Sequence, residues 1–249
     1  MINRTREPFK VSGISAVFPA YNDGGTISSM VLTALMALRQ VTNDFEIIVT
    51  DDGSMDYTGR VLDEMAKVIP ELQVIHHESN RGYGCALRTG FAAAKKEWVF
   101  YTDGDAQYNP LELVDLVDAL TDGVDVVNGY KITRHDPWFR IVIGRLYHHL
   151  VRFAFGIKLK DVDCDFRLMR RILFDEIELE SEKGTLPVEL VKKFQDHGAR
   201  FVEVPVHHYH RQYGKSQFFN WRRVWASGMM LISLWNKLVL HKENQKSAQ

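Results

Sequence analysis

The sequence predicts an α/β fold, a mainly parallel sheet flanked by helices, and three observations carry that prediction. Short apolar runs alternate with longer amphipathic stretches through the first half. Each run stops at a cluster of polar and glycine residues. Of the 249 residues 45% are hydrophobic, enough for one domain to bury a sizeable core.

The runs Ile14 to Phe18, Phe45 to Val49, Leu72 to Ile75, Trp98 to Tyr101 and Val124 to Val127 read as buried strands, with helices between them over about 26–40, 56–68, 84–96 and 110–120. Strand and helix in alternation imply βαβ crossovers. The second half leaves that rhythm. Trp138 to Phe155 is an amphipathic segment studded with Arg140, Arg145, His148, His149 and Arg152, followed by the loop Lys160 to Asp165. A helix over about 186–197 ends at Gly198, and Phe201 to Val206 reads as a strand. The last stretch, Phe218 to Leu240, carries Trp221, Trp225 and Trp235 on an apolar face bordered by Arg222, Arg223 and Lys237. Such a helix suits a membrane surface, and equally suits packing on its own domain. The organisation expected is therefore a domain over 1–217 and a C-terminal amphipathic helix with a polar tail over 218–249.

Composition narrows the function classes. A net charge of −1 without a basic tract gives no broad pull toward nucleic acid. Two cysteines, Cys85 and Cys164, are too few for a disulfide scaffold, and Met1 to Lys10 lacks the apolar core of a signal peptide. No apolar run approaches the ~20 residues that span a bilayer. These features lead to the expectation of a cytoplasmic protein. The first strand runs into Pro19-Ala20-Tyr21-Asn22-Asp23 rather than a G-x-G-x-x-G turn, which disfavours a dehydrogenase, and Gly214-Lys215-Ser216 lacks the upstream glycine of a P-loop.

The chemistry centres on Asp103-Gly104-Asp105, where the run Trp98 to Phe100 stops. With a strand's period of two, both carboxylates point the same way. Paired carboxylates repel unless a cation joins them, and a hard ion such as Mg²⁺ or Mn²⁺ binds carboxylates together with substrate phosphates. A D-x-D alone would also fit a solvated acidic turn. Here it has company at the expected strand ends: Pro19 to Asp23, Asp51-Asp52-Gly53-Ser54 and Asn80-Arg81-Gly82-Tyr83-Gly84. In parallel sheets ligands bind outside the carboxyl ends of the strands.

These four segments, together with Arg88, Gly90 and Gln107-Tyr108-Asn109-Pro110, resemble family 2 glycosyltransferases of the GT-A (Rossmann-like) fold. More narrowly they resemble the dolichol-phosphate mannose synthase group and bacterial polyprenyl-phosphate sugar transferases, over about Ser15 to Gln217. The resemblance implies a nucleotide-sugar donor site. Pro19, Tyr21 and Asp23 would line the base and ribose pocket, with Asp51 accepting from the base, Asp52 close by and Arg88 within the same motif. Asp103, Asp105 and Gln107 would hold Mg²⁺ or Mn²⁺. Arg211, with Lys215 and Ser216, resembles the segment that closes over the diphosphate, where cations stabilise the leaving nucleotide.

The acceptor is argued from an absence. Family 2 enzymes that glycosylate hydroxyls share a late Glu-Asp pair as general base and a following Gln-x-x-Arg-Trp motif. This chain has Pro187-Val188-Glu189-Leu190 in that region and no Gln-x-x-Arg-Trp. A phosphate monoester is already anionic and needs cations rather than a base. Lys131 and Arg140 fall where the polyprenyl-phosphate transferases place acceptor-phosphate arginines; Lys131 keeps the charge and loses the bidentate fork. Asp165 replaces a residue that is usually small, while Phe166, Leu168 and Met169 read as core. The expectation is an inverting, metal-dependent hexosyl transfer to a polyprenyl phosphate, at a membrane surface or a membrane-anchored partner. A soluble transferase using Asp161 or Asp163 as base, or a non-catalytic nucleotide-sugar binding subunit, are the alternatives.

Overall fold

The computed structural model describes residues 11–132, 148–211, 213 and 221–240. Seven strands form one sheet: β1 (Ile14–Ala20), β2 (Phe45–Asp51), β3 (Leu72–His76), β4 (Trp98–Thr102), β5 (Val126–Lys131), β6 (Phe166–Arg170) and β7 (Phe201–Val206). Their order is β3-β2-β1-β4-β6-β5-β7. Every neighbouring pair is parallel except those of β6, which runs antiparallel to β4 and β5. The mainly parallel sheet of the sequence reading is thus present.

Helices cover both faces. On one face α1 (Ile27–Val41), α2 (Thr58–Ala66) and α4 (Leu113–Asp118) meet Ile14, Ala16 and Phe18 of β1 and Trp98 and Phe100 of β4. On the other, α3 (Tyr83–Ala93), the one-turn α6 (Ile172–Asp175) and α7 (Leu186–Asp196) pack around Val17, Val99 and Tyr101. This alternation is the strand period of two, with both faces apolar because both are covered. A third cluster joins α5 (148–155), α7 and α8 (Trp221–Trp235): Val151, Phe155, Val188 and Val191 surround Leu234, and the Trp235 indole N–H donates to the Ala154 carbonyl at 2.7 Å. The C-terminal segment therefore packs on its own domain along one face while Met229 and Ile232 stay exposed.

Three elements differ from expectation. β5 lies at Val126–Lys131, displaced from the apolar run Val124 to Val127, because its pairing with β7 extends to Lys131↔Val206. The stretch expected as one helix over 110–120 is a 3-10 turn, Pro110–Glu112, followed by α4; the Asn109 side chain accepts from Leu111 N–H and opens it. β6 is a strand that sequence patterning missed. Phe166, Leu168 and Met169 are core as expected, but Arg167 between them is fully buried, against the polar-outward alternation that would mark a strand. Of the segment expected to be helical over 138–155, only 148–155 lies within the described residues, where it is helical. Arg140, Arg145, Lys215, Ser216 and the 217/218 boundary lie outside them.

Candidate active site

The loops after β1 and β2 are stitched together by their own hydrogen bonds. Asn22, in the left-handed region at φ 54°, donates its N–H to Ser54 Oγ (2.9 Å), and its side-chain oxygen accepts from Met55 N–H (2.9 Å). Asp52 accepts from the N–H groups of Arg81 (2.9 Å) and Gly82 (2.8 Å) and pairs with His77 Nδ1 (2.7 Å), which fixes the loop after β3 against the end of β2. Gly104 sits so close to β1 that a Cβ would lie 3.0 Å from the Pro19 carbonyl oxygen and 2.9 Å from Ile27 Cδ1. Only glycine lets the carboxylate pair press that tightly on the first loop.

The loops enclose a cavity of about 470 Å³, of the size that takes a small-molecule ligand. Asp23, Asp103 and Asp105 converge on it with Arg211. Burial, together with the neighbouring Asp165 and Asp105 carboxylates, pushes Asp103 well above the usual carboxylate range, and the Tyr83 hydroxyl, donating at 2.8 Å, offsets only part of this. Burial likewise raises Asp105, against Arg211 and the Gln107 N–H (3.0 Å), which favour its ionised form. Asp23 is lifted to about 6 by burial, partly countered by the Tyr21 N–H. A cluster of buried carboxylates with too little counter-charge suits a hard divalent cation, and Asp103 and Asp105 are the donors that fit one.

Arg211 reaches the pair from the segment after β7. Its Nη2 donates to Asp105 Oδ2 at 2.5 Å, Nη1 lies 3.8 Å from Asp23 Oδ1, and its Nε–H is buried with no partner among the described residues. A buried donor without an acceptor is costly, and an anionic oxygen in the cavity would satisfy it. Gln107 holds this segment in place: its backbone oxygen accepts from Tyr209 N–H (2.8 Å) and its side-chain amide donates to the Tyr209 carbonyl (3.2 Å).

The structure therefore gathers Pro19, Tyr21, Asp23, Asp52, Asp103, Asp105 and Arg211 around one cavity. Of the other expected residues that are described, Asp51, Arg88, Gln107 and Lys131 stand outside its lining. Asp51 accepts from Ser54 N–H (3.1 Å) and pairs with His76 Nδ1 (3.0 Å). Arg88 donates to the Glu180 carbonyl (3.2 Å), and Gln107 is engaged as described. Lys131 is only 12% exposed; its ammonium donates to the Asp163 carbonyl (2.6 Å) and lies 3.8 Å from Asp161. Burial would lower its pKa, but Asp161, Cys164 and Asp163 outweigh that and raise it. Donor atoms of His148, Asp161 and Asp163 fall within 4.8 Å of one another, but the Lys131 ammonium already supplies the positive charge there.

Sequence reasoning missed the row behind the carboxylates. Tyr101, Arg167 and Asn128 are in register across β4, β6 and β5. Arg167 donates to Asn128 Oδ1 (2.5 Å), to the Tyr101 hydroxyl and to the Val162 carbonyl, while Tyr101 donates to Asp165 Oδ1 (3.0 Å). Asp165 is raised by burial, with Arg167, Lys131 and the Tyr101 hydroxyl opposing. The signal in the sequence is Asp165: a buried carboxylate demands a cation, and Arg167 is two residues on.

With the fold and the cavity in place, the chain belongs to glycosyl transferase family 2, whose family model matches residues 15–178. It is 31% identical over 211 residues to the undecaprenyl-phosphate 4-deoxy-4-formamido-L-arabinose transferase of Proteus mirabilis (strain HI4320), covering 84% of this chain and 64% of that protein. The Pseudomonas fluorescens (strain Pf0-1) protein of the same name is 31% identical over 236 residues, covering 93% of this chain and 65% of its own length. The chain thus spans just under two thirds of these curated relatives. Among solved structures, glucosyl-3-phosphoglycerate synthase from Mycobacterium tuberculosis in complex with Mn²⁺, UDP and phosphoglyceric acid superposes with a TM-score of 0.67 at 20% identity, covering 91% of this chain and 78% of that one. The fold is GT-A.

Proposed function

We propose that this chain transfers a hexose from a GDP- or UDP-linked donor to a polyprenyl phosphate, dolichyl or undecaprenyl, in one inverting, metal-dependent displacement. An oxygen of the acceptor phosphate attacks the anomeric carbon as the bond to the donor's diphosphate breaks, and the bonding pair leaves with the nucleoside diphosphate. No proton has to be removed.

The observation that carries this reading is Glu189, the carboxylate in the region where hydroxyl-glycosylating relatives need a base. It is 1% exposed and lies outside the cavity lining. It accepts from the N–H groups of Glu180 (3.0 Å) and Ser181 (2.7 Å) and from the Lys193 ammonium (2.7 Å). A carboxylate so engaged is unavailable to a sugar hydroxyl, whereas a phosphate nucleophile needs none. The likeness to two undecaprenyl-phosphate sugar transferases supports the same acceptor.

In this reading Pro19, Tyr21 and Asp23 hold the nucleoside, and Asp103 and Asp105, with Gln107 beside them, the metal end of the donor. Arg211, with Lys215 and Ser216, closes over the diphosphate. A divalent cation at the carboxylates would neutralise charge growing on the leaving group. Among the described residues no helix is long and apolar enough to cross a membrane. The exposed Leu150 and Phe153 of α5 and Met229 and Ile232 of α8 supply a peripheral contact with the bilayer that holds the acceptor.

The test is sugar transfer from a panel of GDP- and UDP-hexoses to a short-chain polyprenyl phosphate with Mg²⁺ or Mn²⁺. A lipid-linked product that disappears in Asp105→Ala is expected. Hydrolysis of the donor without a lipid product in any combination would overturn the acceptor assignment.

A further inference from the structure

Six charged residues line the cavity: Asp23, Asp52, Asp103, Asp105, Arg211 and Lys183. Five have partners. Asp52 is filled by His77 and two backbone N–H groups, and Arg211 is tied to Asp105 and Asp23. Lys183 forms no ion pair among the described residues. Of the two cations expected for the acceptor, Lys131 is spent on the Asp161–Asp163 loop and Arg140 lies outside the described residues.

Lys183 is held on a tightly built loop. Glu189 accepts from the backbone of Glu180 and Ser181, Arg88 grips the Glu180 carbonyl, and Cys85 N–H donates to the Glu182 carbonyl (3.2 Å). A Cβ on Gly82 would fall 2.6 Å from that same carbonyl oxygen, and one on Gly84 would fall 2.4 Å from the Ser181 carbonyl. The loop thus rests directly on the opening turn of α3, and the Lys183 stem crosses Gly82, its Cγ 3.5 Å from where a Cβ would stand. This fixes the side of the cavity on which Lys183, an exposed residue, stands. It comes from the sheet face that carries α3 and α7, whereas Arg211 comes from the segment after β7.

We infer that Lys183 binds the phosphomonoester of the acceptor, opposite the donor diphosphate that Arg211 and the carboxylate pair would hold. The inference rests on the transferase reading above. An acceptor dianion entering a cavity lined by four carboxylates needs a cation not already neutralised, and an ammonium is a compact charge suited to phosphate. The shared chemistry is a phosphomonoester, carried by a prenyl lipid or by a soluble molecule.

The experiment compares wild type, Lys183→Ala and Lys183→Arg with farnesyl phosphate and with 3-phosphoglycerate as acceptors. Each is assayed across the nucleotide-sugar panel with Mn²⁺, and binding of UDP and of GDP with Mn²⁺ is measured by calorimetry. Lys183→Ala is expected to raise the acceptor KM roughly 10- to 100-fold, the loss of a charge-assisted hydrogen bond. Nucleotide affinity should stay within about twofold on the same grounds, and Lys183→Arg should restore most of the acceptor affinity. An unchanged acceptor KM, or a loss confined to nucleotide affinity, overturns the assignment and leaves the transferase reading standing. If wild type glycosylates only 3-phosphoglycerate and Lys183→Ala raises that KM, Lys183 keeps its role and the lipid acceptor falls. If wild type glycosylates neither, both fall.

Discussion

Arg211 and Asp105 stand 106 positions apart in the chain and are joined by a hydrogen bond of 2.5 Å. The pair couples the segment after β7 to the end of β4, so that in the proposed reaction the cation that would meet the leaving diphosphate is held by a carboxylate that would bind the metal. Arg211→Ala should lower kcat roughly 100- to 1000-fold, the effect of removing one donor to developing negative charge. Arg211→Lys should recover part of it. Steady-state transfer assays read this, and an Arg211→Ala enzyme of wild-type kcat would remove Arg211 from the chemistry.

Arg167 is expected to be a stability residue. Truncating it leaves Asn128 Oδ1 and the Val162 carbonyl buried without their donor and Asp165, 3.8 Å away, without its counter-ion, and breaking a buried ion pair from one side costs about 3–5 kcal/mol. Urea unfolding of Arg167→Leu should show that loss. Arg167→Lys should recover little, since one ammonium cannot span Asn128, Tyr101 and Val162 at once. A midpoint equal to wild type in either variant would show that the Tyr101–Arg167–Asn128 row carries no stability.

Glu189 makes stability depend on acid. Burial pushes its carboxyl upward, but hydrogen bonds from Lys193 and from the Ser181 and Glu180 backbone outweigh burial and hold it below its ordinary value of 4.5. The folded state therefore favours the ionised form. The resulting stabilisation is fully present above pH 4.5 and is lost as pH falls through the lower folded pKa. Glu189→Gln should cost about 1–3 kcal/mol near pH 7. The gap to wild type should narrow steadily below pH 4.5, as followed by denaturant midpoints across pH. A gap of constant size down to pH 3 would show that charge is not its source.

The exposed faces of α5 and α8 should carry vesicle binding. Phe153 is 91% exposed and Ile232 60%, so replacing both with Asp removes little from the core. Co-sedimentation with anionic vesicles should weaken at least about tenfold, since each side chain inserted into a membrane contributes roughly 1.5–3 kcal/mol. Circular dichroism should be unchanged. Equal sedimentation of variant and wild type would place the membrane contact elsewhere.

The sequence alone determined the parallel core, because β1, β2 and β4 are continuous apolar runs and buried strands need no partner to be recognised. It also determined the carboxylate pair, since Asp103 and Asp105 lie two residues apart at a strand end and their geometry is local. It called for a glycosyltransferase donor site through four short motifs, and the family match agrees. What it could not decide depends on contacts between distant segments. β6 is a strand only because β4 and β5 lie on either side of it, and Arg167 is buried only because Tyr101, Asn128 and the Asp165 loop converge there. Asp51 and Asp52 are adjacent and alike in sequence, and each pairs with a histidine, His76 and His77 in turn, but only Asp52 reaches the cavity lining. Lys131 and Lys183 carry the same charge; tertiary packing neutralises the first against Asp161 and leaves the second at the cavity wall, because the free energy of an ion depends on its neighbours in space and on how much water remains around it.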